Sequence, residues 1–143
     1  MMLLVLCLLA QACLARAMAS PWWVPDLTVI GLLLAVTRAP HRWLPLSLVA
    51  GAATILWTDR FASAILLGSV GFGWVLQALA TRWDMNEWRA QSALAALVSL
   101  LMALGALWLD NTWSLVLAGL LVARMLLTAL AVPVARRVLR FMP

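Results

Sequence analysis

Apolar residues run along this chain in six long blocks, and short polar breaks between them carry most of the charge. The blocks span residues 2–16, 24–38, 43–58, 61–80, 90–109 and 113–135. Each approaches or reaches the ~17–25 residues that a membrane-crossing helix needs. The breaks are Arg16, Arg38-Ala39-Pro40, Asp59-Arg60, the polar loop Thr81 to Arg89, Asp110-Asn111, and Arg136, Arg137 and Arg140. This pattern predicts an all-α membrane protein, with about six helices in one compact bundle and a single polytopic domain over residues 1–143.

Local signals support the block edges. Pro25 opens the second block, where a missing N–H costs nothing. Asp26 follows in the first turn, where the helix dipole favours an acid. The first block runs into Ala17-Met18-Ala19, which fits a signal-peptide cleavage site. It lacks the positive n-region of a signal peptide, so a retained first helix is expected.

Composition reinforces the choice of solvent. Hydrophobic residues make up 66% of the chain and charged residues 10%, against about 45–50% and about 25% in soluble domains. So few charges cannot cover a soluble core. Six helices also use up the chain, so any chemistry would have to lie inside the bundle.

The charge is one-sided. All ten basic residues are Arg, and five acids leave a net charge of +5. In a soluble protein this balance would point to nucleic acid. Here the arginines sit mostly at block ends, where they set topology, so no nucleic-acid partner is expected. With the N-terminus inside, Arg38, Arg42, Arg82, Arg89, Arg136, Arg137 and Arg140 are cytoplasmic, while Arg16 and Arg60 are external. That bias obeys the positive-inside rule and puts both termini in the cytoplasm. Asp26, Asp59 and Asp110 then lie on the outer side. Eight of the nine tryptophans fall near block ends, as interfacial indoles do, and only Trp74 lies mid-block.

Chemical motifs are scarce. His41 sits alone between Pro40 and Arg42, whereas a metal site needs several converging ligands. Cys7 and Cys13 lie six apart on one helix, point to different faces and cannot bridge each other. There is no nucleophile elbow, phosphate loop or metalloprotease motif. No catalytic, cofactor-binding or metal-binding residue is therefore assigned. Packing signals are clearer. Ser47, Gly51, Thr54 and Thr58 form a small, weakly polar stripe, and Ser69 and Gly73 have small-x-x-x-small spacing. Small residues let backbones approach closely in lipid. The stripe faces either a neighbouring helix of this chain or a partner protein. Arg124 lies mid-block, where an arginine is costly, so it must face the interior or a partner. Thr128 shares its face. Arg124 is expected to bond backbone carbonyls or a hydroxyl, or else to contact a substrate or partner, with Gln11 and Gln77 as further candidate partners.

Several of these features together resemble the rod shape-determining protein MreD family. Pro25-Asp26-Leu27 followed by an apolar run is similar to that family's "P-D-L-apolar" helix. Gly51 through Asp59 is similar to its glycine-rich helix closing on an Asp. Gly68 sits near the glycine after its external turn. Pro133 with Arg136-Arg137 resembles its Pro-containing last helix and basic tail. Two departures are Leu66-Leu67-Gly68 in place of Pro-Leu-Gly, and Ile55 in place of a middle glycine. The resemblance covers residues 24–140. It implies a non-enzymatic inner-membrane component of the bacterial cell-elongation machinery. The implied partners are an MreC-like single-span periplasmic coiled-coil protein, the peptidoglycan synthase complex and the lipid bilayer. Pro25, Asp26, Gly51, Asp59, Gly68, Arg124 and Pro133 become the candidates for packing or partner binding. The fold is similar to the substrate-binding component of energy-coupling-factor transporters, so a small-molecule-binding subunit is the alternative. The A-x-x-x-A repeats of those subunits reduce here to Ala15 and Ala19.

Overall fold

The computed structural model describes residues 2–17, 25–56, 62–82, 87–111 and 114–140, and these are helical almost throughout. Six helices follow in order: α1 (Met2–Ala17), α2 (Leu27–Arg38), α3 (Trp43–Ile55), α4 (Ala62–Arg82), α5 (Trp88–Asp110) and α6 (Leu115–Arg140). A 3-10 turn, Pro40–Arg42, joins α2 to α3. The six expected helices are present. Among the described residues, only α4, α5 and α6 are long and apolar enough by themselves to cross a membrane. The other three have 16, 12 and 13 residues, or ~24, ~18 and ~20 Å at 1.5 Å per residue.

The shortest helix is the central one. Every residue of α2 from Val29 to Val36 is buried. A helix that is apolar all round must be enclosed on all sides, and α2 touches each of the other five helices. Ile30, Leu33 and Val36 are fully buried. Around them lie Leu4 and Leu8 of α1, Leu46 and Ala50 of α3, Phe72 and Leu76 of α4, Ala95 and Val98 of α5, and Val132 of α6. Gly31 lets α1 come close, because a Cβ there would lie 2.8 Å from the Cβ of Cys7. At its far end α2 stops where Pro40 disfavours a helical Ala39, whose N–H still bonds the Ala35 carbonyl at 3.1 Å.

The small-residue stripe on α3 faces α4 of the same chain. Ser69 of α4 sits where a Cβ on Gly51 would go, and Ser47 of α3 sits where a Cβ on Gly73 would go. These reciprocal Ser–Gly pairs run in opposite order, as antiparallel helices require. The serines are already satisfied, Ser47 Oγ by the Trp43 carbonyl at 2.7 Å and Ser69 Oγ by the Leu66 carbonyl at 2.9 Å. They can therefore press against a glycine without leaving a buried donor unpaired. Thr54 joins this pattern by bonding its own Ala50 carbonyl at 2.8 Å. Thr58 and Asp59 lie outside the described residues.

The α5–α6 hairpin has a second, separate core of Ala103, Leu107 and Leu121, flanked by Leu104 and Leu117. Asp110-Asn111 turns the chain as expected. Asn111 caps α5 in the left-handed region, φ 50°, a conformation asparagine tolerates at helix C-termini. Gly68 of α4 meets this hairpin, since a Cβ there would lie 3.1 Å from the Met102 sulfur.

Overpacking a tight helix contact costs about 1–3 kcal/mol. Gly51→Leu is therefore expected to destabilise the protein by about that much, because its Cβ would collide with Ser69. Gly71→Leu is expected to be nearly neutral, since nothing lies within 4 Å of its Cβ position. Chemical unfolding of both variants in detergent micelles checks the contrast.

Candidate functional site

A polar cluster gathers at the start of α2, apart from the buried Ser47, Ser69, Gln91 and Ser99 elsewhere in the bundle. A helix leaves its first N–H groups without intrahelical partners, and here those groups lie inside an apolar surround. Each of three is met by a side chain. The Asp26 N–H donates to Thr128 Oγ1 of α6 at 3.0 Å. The Leu27 N–H donates to Gln11 Oε1 of α1 at 2.9 Å. The Val29 N–H donates to Asp26 Oδ1 at 3.3 Å, so Asp26 is the N-cap. Pro25 precedes the cap, outside the helix, and its carbonyl also accepts from the Leu27 N–H at 2.9 Å.

Arg124 completes the cluster. Its Nη2 donates to Asp26 Oδ2 at 3.0 Å, forming an ion pair between side chains only 22% and 13% exposed. Thr128 Oγ1 donates to the Arg124 carbonyl at 2.8 Å, which leaves its oxygen free to accept from Asp26. The Thr128 hydroxyl thus bonds both partners of the pair. Among the described residues, no acceptor meets Arg124 Nε.

This cluster corrects two expectations. The side-chain partner of Arg124 is an acid, not a backbone carbonyl, a hydroxyl or an amide. Gln11 instead caps α2, and Gln77 of α4 takes no part in the pair. Asp26 is at a helix end as expected, but that end is not at the surface level of the longer helices. It lies opposite Arg124, nine residues into α6, or ~14 Å from the Leu115 end. For a helix crossing a hydrocarbon layer of ~30 Å, that is well inside. Helix α2 thus begins at Leu27, three residues later than the apolar block, because Asp26 caps it there. Nothing in the apolar pattern marks this depth. The available signal was chemical, in that a mid-helix arginine needs an acid and Asp26 is flanked by apolar sequence.

The other candidates are placed apart. Gly51 and Gly68 are packing positions on α3 and α4. Pro133 lies inside α6, where it removes a donor from the helical ladder, and it lines a groove between the end of α6 and the start of α5. His41, Arg38 and Arg42 are exposed around the 3-10 turn. Cys7 is partly covered and Cys13 is exposed. Among the described residues, no group of three or more His, Cys, Asp or Glu converges as a metal site. Compared with family models, curated proteins and solved structures, the chain gives no match.

Removing one partner of a buried ion pair is expected to cost about 3–5 kcal/mol, because the other charge is left unpaired. Asp26→Leu and Arg124→Leu should each destabilise the folded chain strongly. The double variant should be less destabilised than the two single effects added together. A double-mutant cycle on unfolding in micelles reads the coupling, and simple additivity would show that the pair contributes nothing.

Proposed function

We propose that this chain is a non-enzymatic membrane scaffold of the MreD type. In this reading it sits in the bacterial inner membrane with both termini cytoplasmic, and it holds an MreC-like single-span protein beside the peptidoglycan synthase complex. The observation that carries the reading is the use made of the polar residues at the start of α2. Asp26, Arg124, Thr128 and Gln11 are engaged with one another and with the start of α2. They fix the relative position of α1, α2 and α6, which is what a rigid platform requires.

Two further features support it. The arginines at the ends of α2, α4 and α6 and at the starts of α3 and α5 sit on the side that the positive-inside rule assigns to the cytoplasm. The half of the α5–α6 hairpin beyond the ion pair has its own small core and turns an apolar face outward. Leu115, Val116 and Val122 of α6 and Leu101 and Trp108 of α5 are all at least half exposed. Gly119 lies open among them, with nothing within 4 Å of its Cβ position. A small residue on such a face lets a partner helix approach closely.

Co-purification from membranes tests the reading. The tagged chain is expected to retain a protein with one span and a periplasmic coiled coil. Gly119→Leu should weaken that retention without lowering the chain's own unfolding midpoint. A stable isolated chain that retains no such protein and binds a vitamin-sized molecule would instead establish the transporter-subunit alternative.

A further inference from the structure

The groove between the start of α5 and the last turns of α6 carries an inference that stands apart from the scaffold reading. Its volume is about 700 Å³, and it is lined by Glu87, Trp88, Leu130, Pro133, Val134, Arg136 and Arg137. Leu130, Pro133, Val134 and Arg137 recur at helical spacing and form one stripe along α6. Over seven residues, ~10 Å, that stripe passes from apolar to cationic. Its apolar part is open, with Leu130 68% and Val134 63% exposed. Across the groove Trp88 is half exposed, and the Arg89 guanidinium lies 5.6 Å from its ring centre.

Charge and shape together select a ligand class. By formal charge, and among the described residues, the lining holds one carboxylate against the Arg136 and Arg137 guanidiniums, and Arg89 at the rim adds a third cation. Guanidinium groups pair well with phosphate oxygens. A soluble anion would make no use of the apolar wall. A zwitterionic lipid would leave the surplus charge unbalanced. Tryptophan belongs at the headgroup level of a bilayer, which puts the cationic end of the groove beside lipid phosphates.

We propose that this groove seats one anionic phospholipid. Its phosphate lies against Arg137, and an acyl chain runs along Val134, Pro133 and Leu130. The site depends on which end of α6 is basic, not on what the rest of the chain assembles with.

Native mass spectrometry of the full, delipidated chain tests this with phosphatidylglycerol and phosphatidylcholine titrated separately. One phosphatidylglycerol is expected to be retained, in clear preference to phosphatidylcholine. Arg137→Gln should reduce that preference about fivefold, the order expected for one guanidinium at a charged membrane surface. Arg137→Lys should retain most of it. Val134→Trp fills the groove at unchanged charge and should abolish the single retained lipid. Arg38→Gln, at a different helix end, should have no effect. Equal retention of the two lipids would overturn the proposal. So would a loss in Arg38→Gln as large as in Arg137→Gln, which would indicate diffuse attraction. Undiminished binding by Val134→Trp would overturn it too, and that readout remains decisive if Arg137→Gln fails to fold.

Discussion

A helix that begins inside an apolar interior has to find partners for its first N–H groups, and this fold is organised around that requirement. In lipid, each unsatisfied backbone group costs several kcal/mol. Helix α2 begins about 14 Å along its neighbour α6, with Asp26 buried at its start. Its acceptors come from three places: the side chain of its own N-cap, a glutamine on α1 and a threonine on α6. The N-cap is an acid, so its charge needs a counter-charge, and Arg124 supplies it. The arginine is no independent curiosity on this account. It is the fourth member of a set that the helix start demands.

The same constraint explains why the shortest helix sits at the centre. With 12 residues, α2 is too short to span a bilayer of ordinary thickness. Enclosed by five neighbours, it has no need to. Its apolar surface on all sides gives each neighbour something to pack on, and its capped start sets where α1 and α6 must lie. The α3–α4 pair works by a different principle. There the contact is held by closeness, with two self-satisfied serines set against two glycines. Apolar area alone gives little drive for helices to associate in lipid. Bonds that only a neighbouring helix can provide, and backbones that come unusually close, are the two devices that remain. This chain uses one on each side of α2.

These devices leave other surfaces free. The distal half of the α5–α6 hairpin packs mainly on itself, and its apolar outer face suits a partner helix in the scaffold reading. The opposite end of the same hairpin combines an apolar wall with arginines, which suits an anionic lipid. One hairpin thus offers two chemically different surfaces at its two ends. The central helix, by contrast, offers none, because every side chain from Val29 to Val36 is buried.

Much of the fold was legible in the chain. Six apolar blocks gave six helices, because periodic burial and polar breaks are local properties. Among the described residues, Arg38 and Arg82 close helices and Trp43 and Trp88 open them for the same reason. The stripe of Ser47, Gly51 and Thr54 and the Ser69–Gly73 spacing announced a close helix contact. The need of Arg124 for an interior partner also followed from its position alone, since a charge cannot stay unpaired in hydrocarbon. The identity of that partner did not follow. Asp26 stands 98 residues from Arg124, at what reads locally as an ordinary outer helix start. Only tertiary packing decided that this start lies deep in the interior and that Gln11 caps it. Only packing decided that the small stripe meets α4. Sequence determines which groups are costly to bury. Which costly groups meet depends on how far each helix slides along its neighbours, and hydrophobic periodicity does not encode that offset.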